Sequence, residues 1–112
     1  IATRFDLTQV SPEFVEWFLD DAARNDPQLL ARFVTLMSRV DFTHRLGEVR
    51  CRCLFVLPGG DPLHTADHYD VLQRVPRQET LRYEGLPHNI TDAVPQRCAA
   101  DLLAFLERQA TG

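Results

Sequence analysis

VRCRCLFVL (residues 49–57) alternates polar and apolar side chains, turns continuously apolar, and then runs into PGGDPLH (58–64). Alternation is the period of a strand with one face in water. The unbroken LFVL is that of a strand covered on both faces, as strands of a parallel sheet are. Gly59 and Gly60 end the run and are expected to turn the chain sharply enough to aim Asp61. Cys51 and Cys53 face the same way along the strand, as small buried apolar groups, with a CxC metal clip as the weaker alternative. Arg50 and Arg52 mark where it emerges toward solvent.

Downstream, Thr65 can cap a helix in which Tyr69, Leu72 and Val75 share a face, and Pro76 stops it. ETLRYE (79–84) alternates again and suits a strand nearer the sheet edge. Gly85 and Pro87 make a turn carrying His88, and Pro95 opens a last helix with Cys98, Leu102, Phe105 and Leu106 on one side. Strand, helix, strand, helix with short joints predicts a βαβ unit in an α/β fold with a parallel sheet. In such a unit the C-terminal ends of both strands share one edge, where open α/β sheets bind ligands. Asp61 and His88 therefore fall on neighbouring loops. A carboxylate beside an imidazole accepts the Nδ1 hydrogen, fixes the tautomer and stabilises the imidazolium, so Asp61 is the candidate acid and His88 the candidate base.

Upstream, the chain reads as helices. Ser11 and Pro12 form a cap-and-proline start, followed by Phe14, Trp17 and Phe18 at helical spacing, and the helix fades by Asn25. Asp26-Pro27 repeats the signal, and Leu30, Phe33, Val34 and Met37 fall at i, i+3, i+4 and i+7. These apolar residues are expected in the core, with the lining of an apolar substrate pocket as the alternative.

At 112 residues, 45% apolar and 25% charged, the composition is that of one small globular domain. A net charge of −4 gives no reason to expect nucleic acid or an anionic membrane as partner. No stretch approaches the roughly 20 apolar residues of a membrane span, and no signal-peptide pattern opens the chain, which begins at Ile1 as though cut internally. Three cysteines, an odd number, fit a reduced cytoplasmic setting better than a disulfide scaffold.

Two stretches carry a family resemblance. DFTHRLGEVRCRCLFVLPGGDPL (41–63) resembles the approach to the acid-bearing strand end of an α/β-hydrolase. LRYEGLPHNITDAVPQRCAADLLAFL (81–106) is similar to that family's final strand, histidine loop and last helix, including a proline seven residues after the histidine. The resemblance implies residues 1–45 as the end of a helical cap and 46–112 as the C-terminal part of the hydrolase core. It places Asp61 as triad acid and His88 as triad base. The chain departs from the family pattern at Pro87 and Pro58, where glycine is usual, and at Ala93, where many relatives carry glutamate.

The resemblance also implies a serine on a G-x-S-x-G turn, which this chain lacks. Ser11 reads as a helix cap, and Ser38 lies in a helix without a nearby glycine. The expected partner is therefore the N-terminal part of the same hydrolase, carrying the nucleophile and the remaining sheet on another chain or segment. Without it, a two-stranded unit with four helices is a poor candidate for independent stability. The implied activity is that of a serine hydrolase, an esterase or lactonase with a catalytic triad acting on a small apolar acyl substrate, with no cofactor and no metal. A homo-oligomer is compatible with it. The alternatives are an epoxide, C–C or halide hydrolase of the same fold, or a non-catalytic ligand-binding protein built on it. His64 and His68, four apart beside Asp61 and Asp67, have a spacing that can hold a metal. A solvated first helical turn is preferred, because Asp61 cannot readily orient His88 and hold a metal together. His44, in a connector, is expected to be exposed.

Overall fold

The computed structural model describes residues 4–8 and 10–110; Ile1, the expected internal start, lies outside them. Two strands, β1 (Cys53–Pro58) and β2 (Gln78–Tyr83), pair in parallel from Cys53 opposite Gln78 to Pro58 opposite Tyr83. The crossover between them is a short helix, α3 (Ala66–Asp70), that tightens into a 3₁₀ turn over Val71–Arg74. The result is a mixed α/β arrangement, a two-stranded parallel sheet flanked by helices. Two pieces of helix were not expected: a 3₁₀ segment at Thr43–Glu48 and the one-turn α4 (Ile90–Ala93) directly after the histidine loop.

β1 starts four residues later than its alternating pattern predicts. The ladder is limited by the partner strand, which begins just after Pro76, a residue with no N–H to donate. The Cys53 N–H donates to the Arg77 carbonyl at 2.9 Å, and Arg50, Cys51 and Arg52 are left outside as exposed residues. Cys51 is thus not the buried apolar group its register implied. Its Sγ lies 3.8 Å from that of half-buried Cys53, and both thiols are free.

The helix starts follow the sequence closely. The Phe14 N–H donates to Ser11 Oγ at the head of α1 (Pro12–Ala23), and Gln28 and Leu29 N–H groups donate to Asp26 Oδ1 at the head of α2 (Pro27–Met37). Such caps satisfy backbone donors that no helical carbonyl can reach. The expected packing of these helices is only half met. Phe14 and Phe18 of α1 close edge-on over buried Phe5, with ring centroids 5.4 and 5.0 Å away. By contrast α2 is exposed along its whole length, and Phe33 and Val34 of its apolar stripe are 57% and 65% exposed. Local periodicity formed the helix, but within the described residues its apolar stripe is left open to solvent. The radius of gyration, 16.5 Å, exceeds the roughly 13 Å of a compact domain of this length.

The buried core is small. Besides Phe5, the buried apolar residues are Val75 at the end of the crossover, Tyr83 in β2, Ile90 in α4 and Phe105 in the last helix, α5 (Pro95–Ala110). The Tyr83 hydroxyl donates to Asp101, the Arg97 guanidinium lies 3.7 Å over its ring, and burial with the Asp101 contact pushes the phenol well above its ordinary range. Of the side expected inward on α5, Phe105 is buried, Cys98 is half-buried, and Leu102 and Leu106 are about half exposed.

Gly59 and Gly60 form the expected turn after β1 and also permit a close approach between the loops. Neither has positive φ; that conformation belongs to Gly85, at φ 73°. A Cβ on Gly59 would lie 2.7 Å from Glu84 Cα and 2.9 Å from the Tyr83 carbonyl oxygen, and one on Gly60 would lie 3.0 Å from Gly85 C. The bare backbone lets Gly59 N–H donate to Tyr83 O at 2.8 Å and Gly60 N–H to Leu86 O at 2.9 Å, zipping the two strand ends together beyond the ladder. Gly59→Ala should cost about 1–3 kcal/mol, the usual penalty for overpacking where backbone must give way. Gly47→Ala, with nothing within 4 Å, should be nearly neutral. Urea denaturation of both variants, with the expected N-terminal partner present, checks this, and equal stability would show that the loops are not held this tightly.

Candidate functional site

The zipped loops carry Asp61 past the end of β1 and His88 past the end of β2, at the same edge of the sheet. Asp61 Oδ1 accepts the Leu63 N–H at 2.8 Å, an Asx turn that fixes the carboxylate and swings His64 back over it. His88 is held by its neighbours: Pro87 and Ile90 are buried, and the Asn89 N–H donates to the Arg4 carbonyl at 2.8 Å.

Three donors converge on Asp61 Oδ2. The Tyr69 hydroxyl donates at 2.5 Å, His88 Nδ1 at 3.0 Å and His64 Nδ1 at 3.1 Å. The carboxylate side chain is 1% exposed, while those of His88 and His64 are 28% and 35% exposed. Burial alone would raise the Asp61 carboxyl, but hydrogen bonds from Tyr69, His88, the Leu63 amide and His64 outweigh it and hold the group well below the usual carboxylate range. Tyr69 moves the other way, pushed up to about 12 by burial and by its bond to Asp61.

This geometry fixes proton positions. An ionised carboxylate only accepts, so both imidazoles carry hydrogen on Nδ1 toward Asp61, and in the neutral rings both Nε2 atoms keep a lone pair. One buried charge thereby sets the tautomer of two histidines, whose rings stack with centroids 5.4 Å apart and planes at 28°. His88 borders an open groove of about 540 Å³ lined mainly by apolar side chains, among them Leu54, Val56, Leu57, Tyr69 and Leu102.

The structure thus brings Asp61 and His88 together, as the βαβ argument predicts. It does not leave His64 as part of a solvated helical turn: His64 is a second imidazole on the candidate acid. His68 is exposed, its ring tilted against that of His64 with centroids 4.5 Å apart, and it makes no bond to Asp61; His44 is exposed. Neither serine joins the site. Ser11 Oγ caps α1, and the Ser38 hydroxyl donates to the Thr35 carbonyl at 2.9 Å at the end of α2. Tyr69 was expected only as part of an apolar helix face. A signal for its second role exists, because a tyrosine on an inward face must place its hydroxyl on some partner, and the crossover helix leads away from the Asp61 loop.

Comparison with family models, with curated proteins and with solved structures returned no match.

Proposed function

We propose that this chain contributes the acid and base of a nucleophile–histidine–acid hydrolase of α/β-hydrolase type, acting on a small ester, lactone or related acyl substrate. The observation that carries the proposal is the 3.0 Å contact from His88 Nδ1 to Asp61 Oδ2, which leaves Nε2 as the free acceptor of a ring that borders an apolar groove. In this mechanism a serine outside residues 1–112 attacks the acyl carbon, and His88 Nε2 takes its proton. His88 then protonates the leaving group and activates water for deacylation, while Asp61 stabilises the imidazolium. The chemistry requires neither metal nor organic cofactor. The groove's apolar lining favours an aliphatic or aromatic acyl group over a sugar.

The nucleophile and the remaining sheet are assigned to the N-terminal part of the same hydrolase, on a separate chain or segment. Half-buried Leu54 to Leu57 in β1 and the exposed apolar stripe of α2 support this assignment. Residues 1–45 are assigned to the end of a cap and 46–112 to the core. No described helix is long and apolar enough to cross a membrane, and the three free thiols suit a reducing cytoplasmic setting. Expressed alone, the chain should bind a hydrophobic dye and self-associate. A monodisperse, cooperatively folding monomer would remove the argument for a covering partner.

The decisive experiment is labelling of the complete protein with a fluorophosphonate. Labelling on a serine outside this chain, lost in His88→Ala, is expected; absence of labelling in the wild type would overturn the serine mechanism. A second reading, in which the cluster is structural within a ligand-binding protein, draws on the saturation of Asp61 by four donors. That reading predicts no turnover of any acyl ester and a stability loss in Asp61→Asn without a catalytic one.

A further inference from the structure

We infer that Asp61, His64 and His88 form a binding site for a divalent transition ion, zinc in the first instance, and that its occupancy switches off the base. One ligand atom from each of the three residues lies within 4.8 Å of the other two. The Asp61 Oδ2 to Nδ1 separations of 3.0 and 3.1 Å are close to the roughly 3.3 Å between neighbouring ligand atoms of tetrahedral zinc with bonds of about 2.0–2.1 Å. Closing the set requires the two part-exposed rings to bring their ligand nitrogens, now within 4.8 Å of each other, to that same spacing. Two imidazoles with one carboxylate select zinc-like ions over magnesium or calcium, which favour oxygen. The remaining groups supply what such sites need around the ligands: the Tyr69 hydroxyl on Oδ2 and the Leu63 amide on Oδ1 orient the carboxylate. Three protein ligands leave a fourth position for water.

The histidine pair the sequence offered for a metal, His64 with His68, is replaced by one that the fold assembles across the two loops. Metal and hydrogen bond compete for the same lone pairs. An ion on His88 Nδ1 requires that nitrogen to give up its hydrogen, and the neutral ring regains one from solvent at Nε2, with no net change in protons bound. Nε2–H can no longer accept the proton of a nucleophile. Binding itself stands on the three side chains; its inhibitory consequence rests on the hydrolase proposal.

The test is calorimetric titration of Zn²⁺ into the protein carrying Cys51→Ser and Cys53→Ser, which removes the thiol pair as a competing site, with the covering partner present where folding needs it. One ion per chain is expected. In the same background His64→Ala and His64→Gln should both weaken binding by at least about tenfold, and His68→Ala should leave it unchanged. Zinc should raise the melting temperature of the parent but not of the His64 variants, since only a folded site is stabilised by its ligand; melting without zinc reports whether the variants fold. No stoichiometric binding, or binding insensitive to His64, overturns the site. If zinc binds but fluorophosphonate never labels, the hydrolase proposal falls and the metal site stands. Where labelling does occur, stoichiometric zinc should block it and a chelator should restore it, and labelling undiminished by bound zinc would overturn the switch.

Discussion

His88→Ala is expected to lower turnover of an acyl ester by a factor on the order of 10⁴ or more, while leaving the fold in place, since removing a triad base abolishes nucleophile activation but not binding. The side chain is 28% exposed at the sheet edge, and the loop around it is anchored by its backbone and by Pro87 and Ile90, so truncation removes chemistry rather than support. His64 is the one residue positioned to complicate this result. Its Nδ1 donates to the same Asp61 oxygen and its Nε2 carries the same lone pair. It does not border the apolar groove that His88 borders, however. His64→Ala should therefore change kcat by less than about tenfold, a small fraction of the effect of losing the base itself. Steady-state kinetics on the two variants separates the imidazoles, and normal turnover in His88→Ala would remove it as the base.

Much of this site was legible before any coordinates, and the reason is topological. Two strand-like runs joined by a helical crossover place Asp61 and His88 at one edge whatever the side chains in between, so their meeting follows from the order of elements. The roles of His64 and Tyr69 were not legible because they depend on the Asx turn at Asp61–Leu63 and on the rotation of the five-residue helix that follows. α3 ends at Asp70 and tightens into a 3₁₀ turn, and its rotation relative to the Asp61 loop decides whether Tyr69 faces the core or the carboxylate. Gly59 and Gly60 form the turn that the sequence implies, but their second role was not legible. Close approach depends on what lies opposite, and only the position of Glu84 and Tyr83 reveals it. The caps of α1 and α2 were plain in Ser11-Pro12 and Asp26-Pro27 because capping is local. Whether anything covers the apolar stripe of α2 is not a local property, and its periodicity carries no information about the surface it would pack against.

Asp61→Asn should reveal the carboxylate through two independent readouts. Catalytically, an amide at this position can turn its NH₂ toward a ring nitrogen, which must then become an acceptor. His88 is driven to the Nε2–H tautomer and cannot take a proton from the nucleophile, a change worth about 10⁴ in kcat when a triad acid is so replaced. Thermodynamically, the folded carboxyl lies below its unfolded value of roughly 3.9. Burial opposes that shift, and the bonds from Tyr69, His88, Leu63 and His64 override it. A depressed folded pKa means the unfolded chain binds the proton more readily, so the carboxylate's contribution to stability is complete above about pH 5 and declines as pH falls through the unfolded and then the folded value. The melting temperature of Asp61→Asn should accordingly lie below that of the wild type at pH 7, and the gap should narrow steadily between about pH 4 and 2 as the wild type loses its advantage. A gap that stays constant across that range would mean the carboxylate is not held ionised by its neighbours. The Nδ1–H tautomers of both His88 and His64 would then have no electrostatic cause, because a protonated Asp61 can donate to a ring nitrogen as readily as accept from it.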